Sequence, residues 1–97
     1  MLFHTTWKYK SGYTEEDRKR VLGLWSKWQP PEGMEIKSFY MGVDGRGFLI
    51  TEAQTAEAVF EAVAPWSGVL LDYEIVPIIE VGKAVEILQK TIAFRES

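Results

Sequence analysis

The chain has 97 residues and a formal net charge of −3, and 46% of its residues are hydrophobic. This length is typical of one domain, here residues 1–97, and the composition supplies enough apolar side chains for a core. The acidic balance argues against nucleic acid and anionic membranes as partners, because both favour clustered Lys and Arg. The chain has no Cys, which excludes disulfides, thiolate metal sites and thiol nucleophiles.

The first third of the chain predicts a strand followed by a helix. Leu2–Tyr9 is rich in Thr, Trp and Tyr. It lacks the basic head and unbroken apolar run of a secretory signal, so we expect a soluble, cytoplasmic protein. Thr14 is the predicted N-cap of the helix, and Pro30 and Pro31 end it. The apolar positions of this helix recur at i, i+3, i+4 and i+7, and they are Val21, Leu24, Trp25 and Trp28.

The middle of the chain predicts a β-hairpin. A strand over Met34–Val43 is followed by Asp44 and Gly45, a pair that favours the positive φ angles of a tight turn. A third strand then covers Gly47–Ala53.

The last part of the chain predicts a helix, a strand and a second helix. Thr55 caps the first of these helices and Pro65 ends it. The fourth strand covers Leu70–Ile79, and Pro77 places it at a sheet edge because proline donates no ladder hydrogen bond. The apolar stripes of the two helices are Ala56, Val59, Phe60 and Val63 in the first, and Val81, Ala84, Val85, Leu88 and Ile92 in the second.

The resulting element order, βαββαβα, predicts a single α+β domain. If each βαβ crossover is right-handed, the first two helices cover one face of a four-stranded antiparallel sheet with strand order 4-1-3-2. We therefore expect a ferredoxin-like βαββαβ sandwich with an extra C-terminal helix.

The second face of such a sheet lacks a cover, and apolar residues occur on both sides of the second strand. The sequence assigns Met34, Ile36 and Tyr40 to one side and Phe39, Met41 and Val43 to the other. Because large apolar patches mark interaction sites, we predict that a second copy covers the bare face. The protein would then be a homodimer in the form of a dimeric α+β barrel.

The chain also resembles an uncharacterised bacterial family of small single-domain proteins, described as a domain of unknown function. The residues that carry the resemblance are Trp7, Trp28 with Pro30, Pro31 and Gly33, Ile36 to Tyr40, Asp44 to Gly47, Ala64 to Trp66, and Asp72 to Glu74 through Pro77. That family is similar to the dimeric α+β-barrel superfamily, which includes cofactor-independent monooxygenases, isomerases and haem-degrading enzymes. The resemblance implies the fold and the dimer, and it supplies no catalytic residues.

His4, the only His, is the candidate catalytic residue. Its free pKa lies near neutrality, which suits a general base, although a lone strand histidine is more often structural. We predict no metal site, because such sites usually need three or four ligands. We also predict no cofactor; haem needs one axial ligand and stays open.

Four further residues are candidate ligand-binding residues: Thr6, Trp7, Tyr40 and Trp66. Trp7, Tyr40 and Trp66 would line an aromatic pocket, with Thr6 and Tyr40 orienting the bound molecule. Three acidic residues, Glu52, Asp72 and Glu74, would suit acid–base work as a pair, but acidic residues near turns are more often solvated.

Two other motifs have simpler explanations. Gly45 to Gly47 is read as a turn, since Ile50 replaces the third glycine of a phosphate loop and a strand follows. Arg46, Gly47 and Phe48 match the opening of the RNA-recognition signature on a third strand, but the following residues depart from it and the acidic balance opposes phosphate binding.

The sequence identifies no reaction, so whether the protein is an enzyme stays open. We expect a homodimer that binds a small apolar or aromatic molecule. If it is catalytic, a cofactor-independent oxygenase or isomerase with His4 as base fits these residues. The alternative is a non-catalytic ligand-binding or assembly module, and an RNA-binding module is the reading that the charge opposes.

Overall fold

The computed structural model describes all 97 residues as an α+β fold of four strands and three helices. In chain order they are β1 (Leu2–Tyr9), α1 (Glu15–Lys27), β2 (Met34–Met41), β3 (Gly47–Ala53), α2 (Ala56–Val63), β4 (Leu71–Ile78) and α3 (Val81–Glu96). Each predicted element is present, with ends that differ by one or two residues from those expected.

The strands form one antiparallel sheet in the order β2-β3-β1-β4. This is the predicted order, 4-1-3-2, read from the opposite edge. β4 is an edge strand, as Pro77 predicts, because proline has no backbone N–H to donate to a second neighbouring strand.

The two faces of the sheet differ in their cover. Residues of β1 alternate, so that Phe3, Thr5 and Trp7 are buried while the residues between them are not. We call the buried side the covered face, since the residues packed there come from α1, α2 and the segment after α2. The other side is the open face, and the strand residues on it are Leu2, His4, Thr6, Lys8, Glu35, Ser38, Tyr40, Phe48, Ile50, Glu52, Asp72, Glu74, Val76 and Ile78.

The core consists of two clusters on the covered face. One contains Trp7, Leu49, Trp66, Leu70 and Leu71, and the other contains Phe3, Ala53, Ala58 and Val59. Thr5 and Thr51 are also fully buried, and neither hydroxyl group has a hydrogen-bond partner. A buried hydroxyl without a partner lowers stability, because it has lost its hydration.

A β-bulge in β2 changes the expected division of its side chains. Ile36 pairs with Thr51 and Ser38 pairs with Ile50, so Lys37 is the extra residue. The bulge shifts the alternation by one residue. The sequence assignment of the two sides of β2 is therefore wrong: Met34, Ile36, Phe39 and Met41 share the covered face, and Tyr40 lies on the open face. The open face is consequently less apolar than the sequence predicted.

The two helices on the covered face are held differently. α1 starts at a capping box, in which the Thr14 hydroxyl accepts from Asp17 N–H and the Asp17 carboxylate accepts from Thr14 N–H, yet none of its residues is buried. α2 buries four residues, Ala58, Val59, Ala62 and Val63. Phe60, which the sequence placed on its core stripe, is 62% exposed. The stripe is wrong there and at Ala56, which is also exposed, because Ala58 and Ala62 face the core in their place.

The β2–β3 connection is longer than the tight turn that the sequence predicted. Only Gly45 has a positive φ angle, 87°, so Asp44 does not share this conformation. Asp44 Oδ1 instead accepts from Arg46 N–H at 3.0 Å. The side chain of Asp44 thus organises a five-residue connection, residues 42–46.

α3 extends away from the sheet. The radius of gyration is 17.0 Å, against about 12.5 Å expected for a compact chain of this length. The principal extents are 60 × 30 × 21 Å, and no residue of α3 is buried. All three helices fall short of the length and apolarity that crossing a bilayer requires.

Candidate functional site

A cavity lies between the covered face and the two helices packed on it, and we call it the aromatic cavity. Its volume is about 550 Å³, and all 15 residues that line it are aliphatic or aromatic. They are Trp7, Tyr9, Val21, Leu22, Trp25, Trp28, Phe39, Tyr40, Met41, Leu49, Ala62, Val63, Trp66, Leu71 and Tyr73. This volume is in the range of small-molecule sites.

Six rings form a continuous series along the wall of the aromatic cavity. In order they are Tyr73, Trp7, Phe39, Trp25, Trp28 and Trp66, with centroid separations of 6.4, 5.4, 5.4, 5.4 and 6.1 Å. Phe39 makes edge-to-face contacts with both of its neighbours, and Trp25 stacks on Trp28. Such offset and edge-on geometries are the favourable ones for aromatic rings, and they leave ring faces available to a further planar group.

Two indole groups fasten α1 to α2 beside the cavity. Trp28 Nε1 donates to Ala62 O at 3.0 Å, and Trp66 Nε1 donates to Val21 O at 3.2 Å. The Trp28 bond satisfies a carbonyl in the last turn of α2, which has no partner within the helix. No side chain of α1 is fully buried, and Val21 and Leu24 are only partly buried against the core. These bonds therefore hold α1 over a cavity that its side chains do not fill.

Gly47 positions the central ring of the series. It is paired with Trp7 across the β1–β3 ladder, and a Cβ atom placed on it would overlap the six-membered part of the Trp7 indole. The sequence explains Gly47 as part of a turn. Its φ angle is not positive, however, so no turn conformation requires glycine at this position. The residue is small because the Trp7 ring lies directly over its Cα.

Tyr73 is one of three tyrosines in the wall, with Tyr9 and Tyr40. Burial raises the pKa of the Tyr73 phenol above its ordinary value, because a phenolate would lose its hydration there. The hydrogen bonds made by aromatic side chains are those of Tyr13, Trp28 and Trp66, and Tyr73 makes none. Its hydroxyl therefore stays protonated at neutral pH and is free to donate.

The open face carries a shallower and more polar depression of about 470 Å³. Its charged residues are Lys8, Arg46, Asp72 and Glu74. His4 and Thr6 also line it, and the rings of His4 and Phe48 lie 5.8 Å apart, with Tyr40 on the other side of Phe48 at 5.7 Å. The structure contains no group of three or more metal-ligating residues placed to hold an ion.

The residues predicted as one site divide between the two faces. Trp7 and Trp66 line the aromatic cavity, whereas His4 and Thr6 lie on the open face. Tyr40 contacts both, since its ring packs on Phe48 while it also borders the cavity. The backbone of β1 separates His4 from the tryptophan side chains of the cavity, although Trp7 also borders the open-face depression.

Sequence reasoning missed several residues of the aromatic cavity, namely Tyr9, Trp25, Trp28, Phe39 and Tyr73. The sequence assigns Trp25 and Trp28 to core packing, and it assigns Phe39 to the side of β2 opposite Met34 and Ile36, whereas the bulge brings all three to one face. The helical spacing did place Trp25 and Trp28 facing the sheet; what it cannot show is that they enclose space instead of filling it.

A family model described as a domain of unknown function (DUF3303) matches residues 1–92, which is nearly the whole chain. No curated protein and no solved structure matches the chain. Function is therefore inferred from the geometry of the two faces.

Proposed function

We propose that this chain, which belongs to the DUF3303 family of domains of unknown function, binds a small, uncharged, mainly aromatic molecule in the aromatic cavity. The observation that carries the proposal is the lining: about 550 Å³ bordered by apolar side chains that include all four tryptophans. Several of its lining side chains, among them Trp25, Tyr40 and Met41, are exposed, and apolar surface in contact with water is unfavourable. An apolar ligand would remove that surface from water.

The lining defines the chemical class of the ligand. No charged side chain borders the aromatic cavity, so an ionised ligand would lose its hydration without gaining a partner. Planar molecules gain most, since six ring systems follow one another along the wall. The protonated Tyr73 hydroxyl favours a ligand that carries one acceptor oxygen, such as a phenol or a ketone.

We further propose that the protein is a cytoplasmic homodimer of single-domain, ferredoxin-like subunits, in which each open face is covered by the other copy. The strand order and the antiparallel pairing support this arrangement. So do the exposed apolar side chains of the open face, among them Tyr40 at 63% and Val76 at 51% exposure.

The catalytic alternative, a cofactor-independent oxygenase or isomerase, places its chemistry on the open face. His4 would act there as a base, with Thr6 beside it in the same depression. The proximity of His4 to the Phe48 ring favours a substrate with an aromatic part. Once a substrate is identified, a His4→Ala variant with undiminished turnover would remove this alternative.

The binding proposal is tested by calorimetric titration with two probes that share one ring system, 2-naphthol and 2-naphthalenesulfonate. We expect the neutral probe to bind at least about tenfold more tightly, because the sulfonate must be desolvated against apolar walls. Equal affinity for the two probes would contradict an uncharged binding site.

Two phenylalanines provide a matched pair of variants for the same titration. Phe39 is 39% exposed and lies between Trp7 and Trp25, while Phe48 is 37% exposed and lies on the open face. Phe39→Ala removes two edge-to-face contacts from the wall and should weaken 2-naphthol binding about tenfold, whereas Phe48→Ala should leave it unchanged. Equal losses in both variants, or a loss in Phe48→Ala alone, would place the probe elsewhere and favour an assembly module.

A further inference from the structure

The open-face depression carries opposite charges on its two sides. Its basic side chains are Lys8 on β1 and Arg46, which directly precedes β3, and its acidic side chains are Asp72 and Glu74, both on β4. Because β1 lies between β3 and β4 in the sheet, we call the β3–β1 half the basic side and the β4 half the acidic side. Separated charges of both signs suit a ligand that itself carries both.

The connection between β2 and β3 holds Arg46 in place. Asp44 Oδ2 accepts a hydrogen bond from Arg46 Nε at 3.0 Å, and Asp44 Oδ1 accepts one from the Arg46 backbone N–H. Gly42 N–H donates to Arg46 O at 2.6 Å. A Cβ atom at residue 42 would lie 2.8 Å from Asp44 Oδ1, so Gly42 leaves room for the carboxylate that fixes the guanidinium. The remaining guanidinium N–H groups are available to a ligand, and their orientation is set in advance.

The other three charged side chains of the depression have no charged partner. Lys8, Asp72 and Glu74 take part in none of the ion pairs of the structure. Lys8 lies directly opposite Asp72 across the β1–β4 ladder, a position at which opposite charges can stabilise a sheet by pairing. The two groups nevertheless stay apart, so a ligand can engage each of them without displacing an ion pair of the protein.

From these features we infer that the open-face depression binds a small zwitterion, with its carboxylate between Arg46 and Lys8 and its ammonium group at Asp72 and Glu74. Neighbouring strands are about 4.8 Å apart, so a point midway between β3 and β1 lies about 7 Å from β4. An α-amino acid, whose two charged groups share one carbon atom, is too short for this span, whereas 5-aminopentanoate matches it. The Phe48 ring, which also lines the depression, offers apolar contact to the carbon chain between the charges.

This site is distinct from the aromatic cavity and is complete within one protomer. It therefore depends neither on the uncharged ligand nor on the homodimer proposed above. No charged side chain borders the aromatic cavity, whereas the depression has charged side chains of both signs. A zwitterion would lose its hydration without compensation in the cavity, and it finds partners for both of its charges in the depression.

The first test is an NMR titration with three probes of the same carbon chain: 5-aminopentanoate, pentanoate and pentylamine. The backbone amides of Thr6 and Phe48, which line the depression, report on its occupancy. Exposed ion pairs are individually weak, so we expect the zwitterion to bind with a Kd on the order of millimolar and each singly charged probe at least about threefold more weakly. Equal affinities for the three probes would overturn the inference, and so would amide signals that stay in place at about 50 mM 5-aminopentanoate.

The second test assigns one charge of the ligand to each side of the depression. Glu74→Gln should weaken 5-aminopentanoate binding at least about threefold without weakening pentanoate binding, and Lys8→Met should weaken it equally without weakening pentylamine binding. The matched controls are Glu61→Gln on α2 and Lys19→Met on α1, which make the same changes in net charge outside the depression. All four side chains are exposed, so the fold should persist in each variant. Losses in the controls equal to those in Glu74→Gln and Lys8→Met would show that the probe responds only to net charge and would overturn the inference.

Discussion

The substitution Gly47→Ala tests how tightly the Trp7 ring is placed in the wall of the aromatic cavity. The added Cβ would overlap the indole, so either the ring or β3 must move. Overpacking of a well-packed site costs about 1–3 kcal/mol. Replacing glycine also restricts the unfolded chain, which returns about 0.4–1 kcal/mol. The expected net loss is about 1–2 kcal/mol, or a decrease of about 1 M in the urea midpoint at a fixed protein concentration.

Gly23→Ala is the matched control, since Gly23 lies inside α1 and a Cβ there meets no atom within 4 Å. That variant should be more stable than wild type by up to about 1 kcal/mol, because alanine is the better helix former. Near-ultraviolet circular dichroism should change only in Gly47→Ala, as the Trp7 ring moves. Unchanged stability together with an unchanged near-ultraviolet spectrum in Gly47→Ala would show that the ring does not lie over this glycine.

Three other substitutions test individual groups. Thr51→Val replaces a buried hydroxyl without a partner by a methyl group and should raise stability by about 1–2 kcal/mol. The control Thr6→Val, on the half-exposed open face, should have little effect. A loss of stability in Thr51→Val would show that the hydroxyl is satisfied. Trp28→Phe loses the hydrogen bond to Ala62 O and should lower the free energy of unfolding by about 1 kcal/mol more than Trp25→Phe, because the Trp25 indole makes no such bond. Equal losses of stability would show that the bond contributes nothing. Since the folded pKa of Tyr73 is raised above its unfolded value of 10.0, its contribution is complete below that pH and is lost as pH rises above it. Urea midpoints should therefore fall above pH 10 less steeply in Tyr73→Phe than in wild type, and identical slopes would contradict the burial of the phenol.

The order of the elements and their approximate ends follow from local signals in the sequence. Thr14 and Thr55 do cap α1 and α2, and the proline of β4 does mark an edge strand. These signals are local because capping and ladder hydrogen bonds involve residues close in sequence or a single missing donor.

The composition of the two faces depends on features that the sequence does not display. No residue near Lys37 marks the bulge, yet the bulge moves Phe39 and Met41 to the covered face and leaves the open face more polar. The separation of His4 from Trp7, by contrast, follows from strand alternation alone, because residues three apart in a strand point to opposite faces. Tyr73 joins the cavity only through the β1–β4 register, which pairs it with Trp7, and register is a tertiary property.

The four tryptophan indole N–H signals provide the most direct measurement of the central claim. All four tryptophans line the aromatic cavity, so a ¹H–¹⁵N spectrum recorded during a 2-naphthol titration reports on each part of its wall. We expect all four indole signals to shift together, along one saturation curve, while the backbone amides of His4 and Phe48 stay in place. Stationary indole signals with shifts confined to the open face would contradict a binding site between the sheet and its helices.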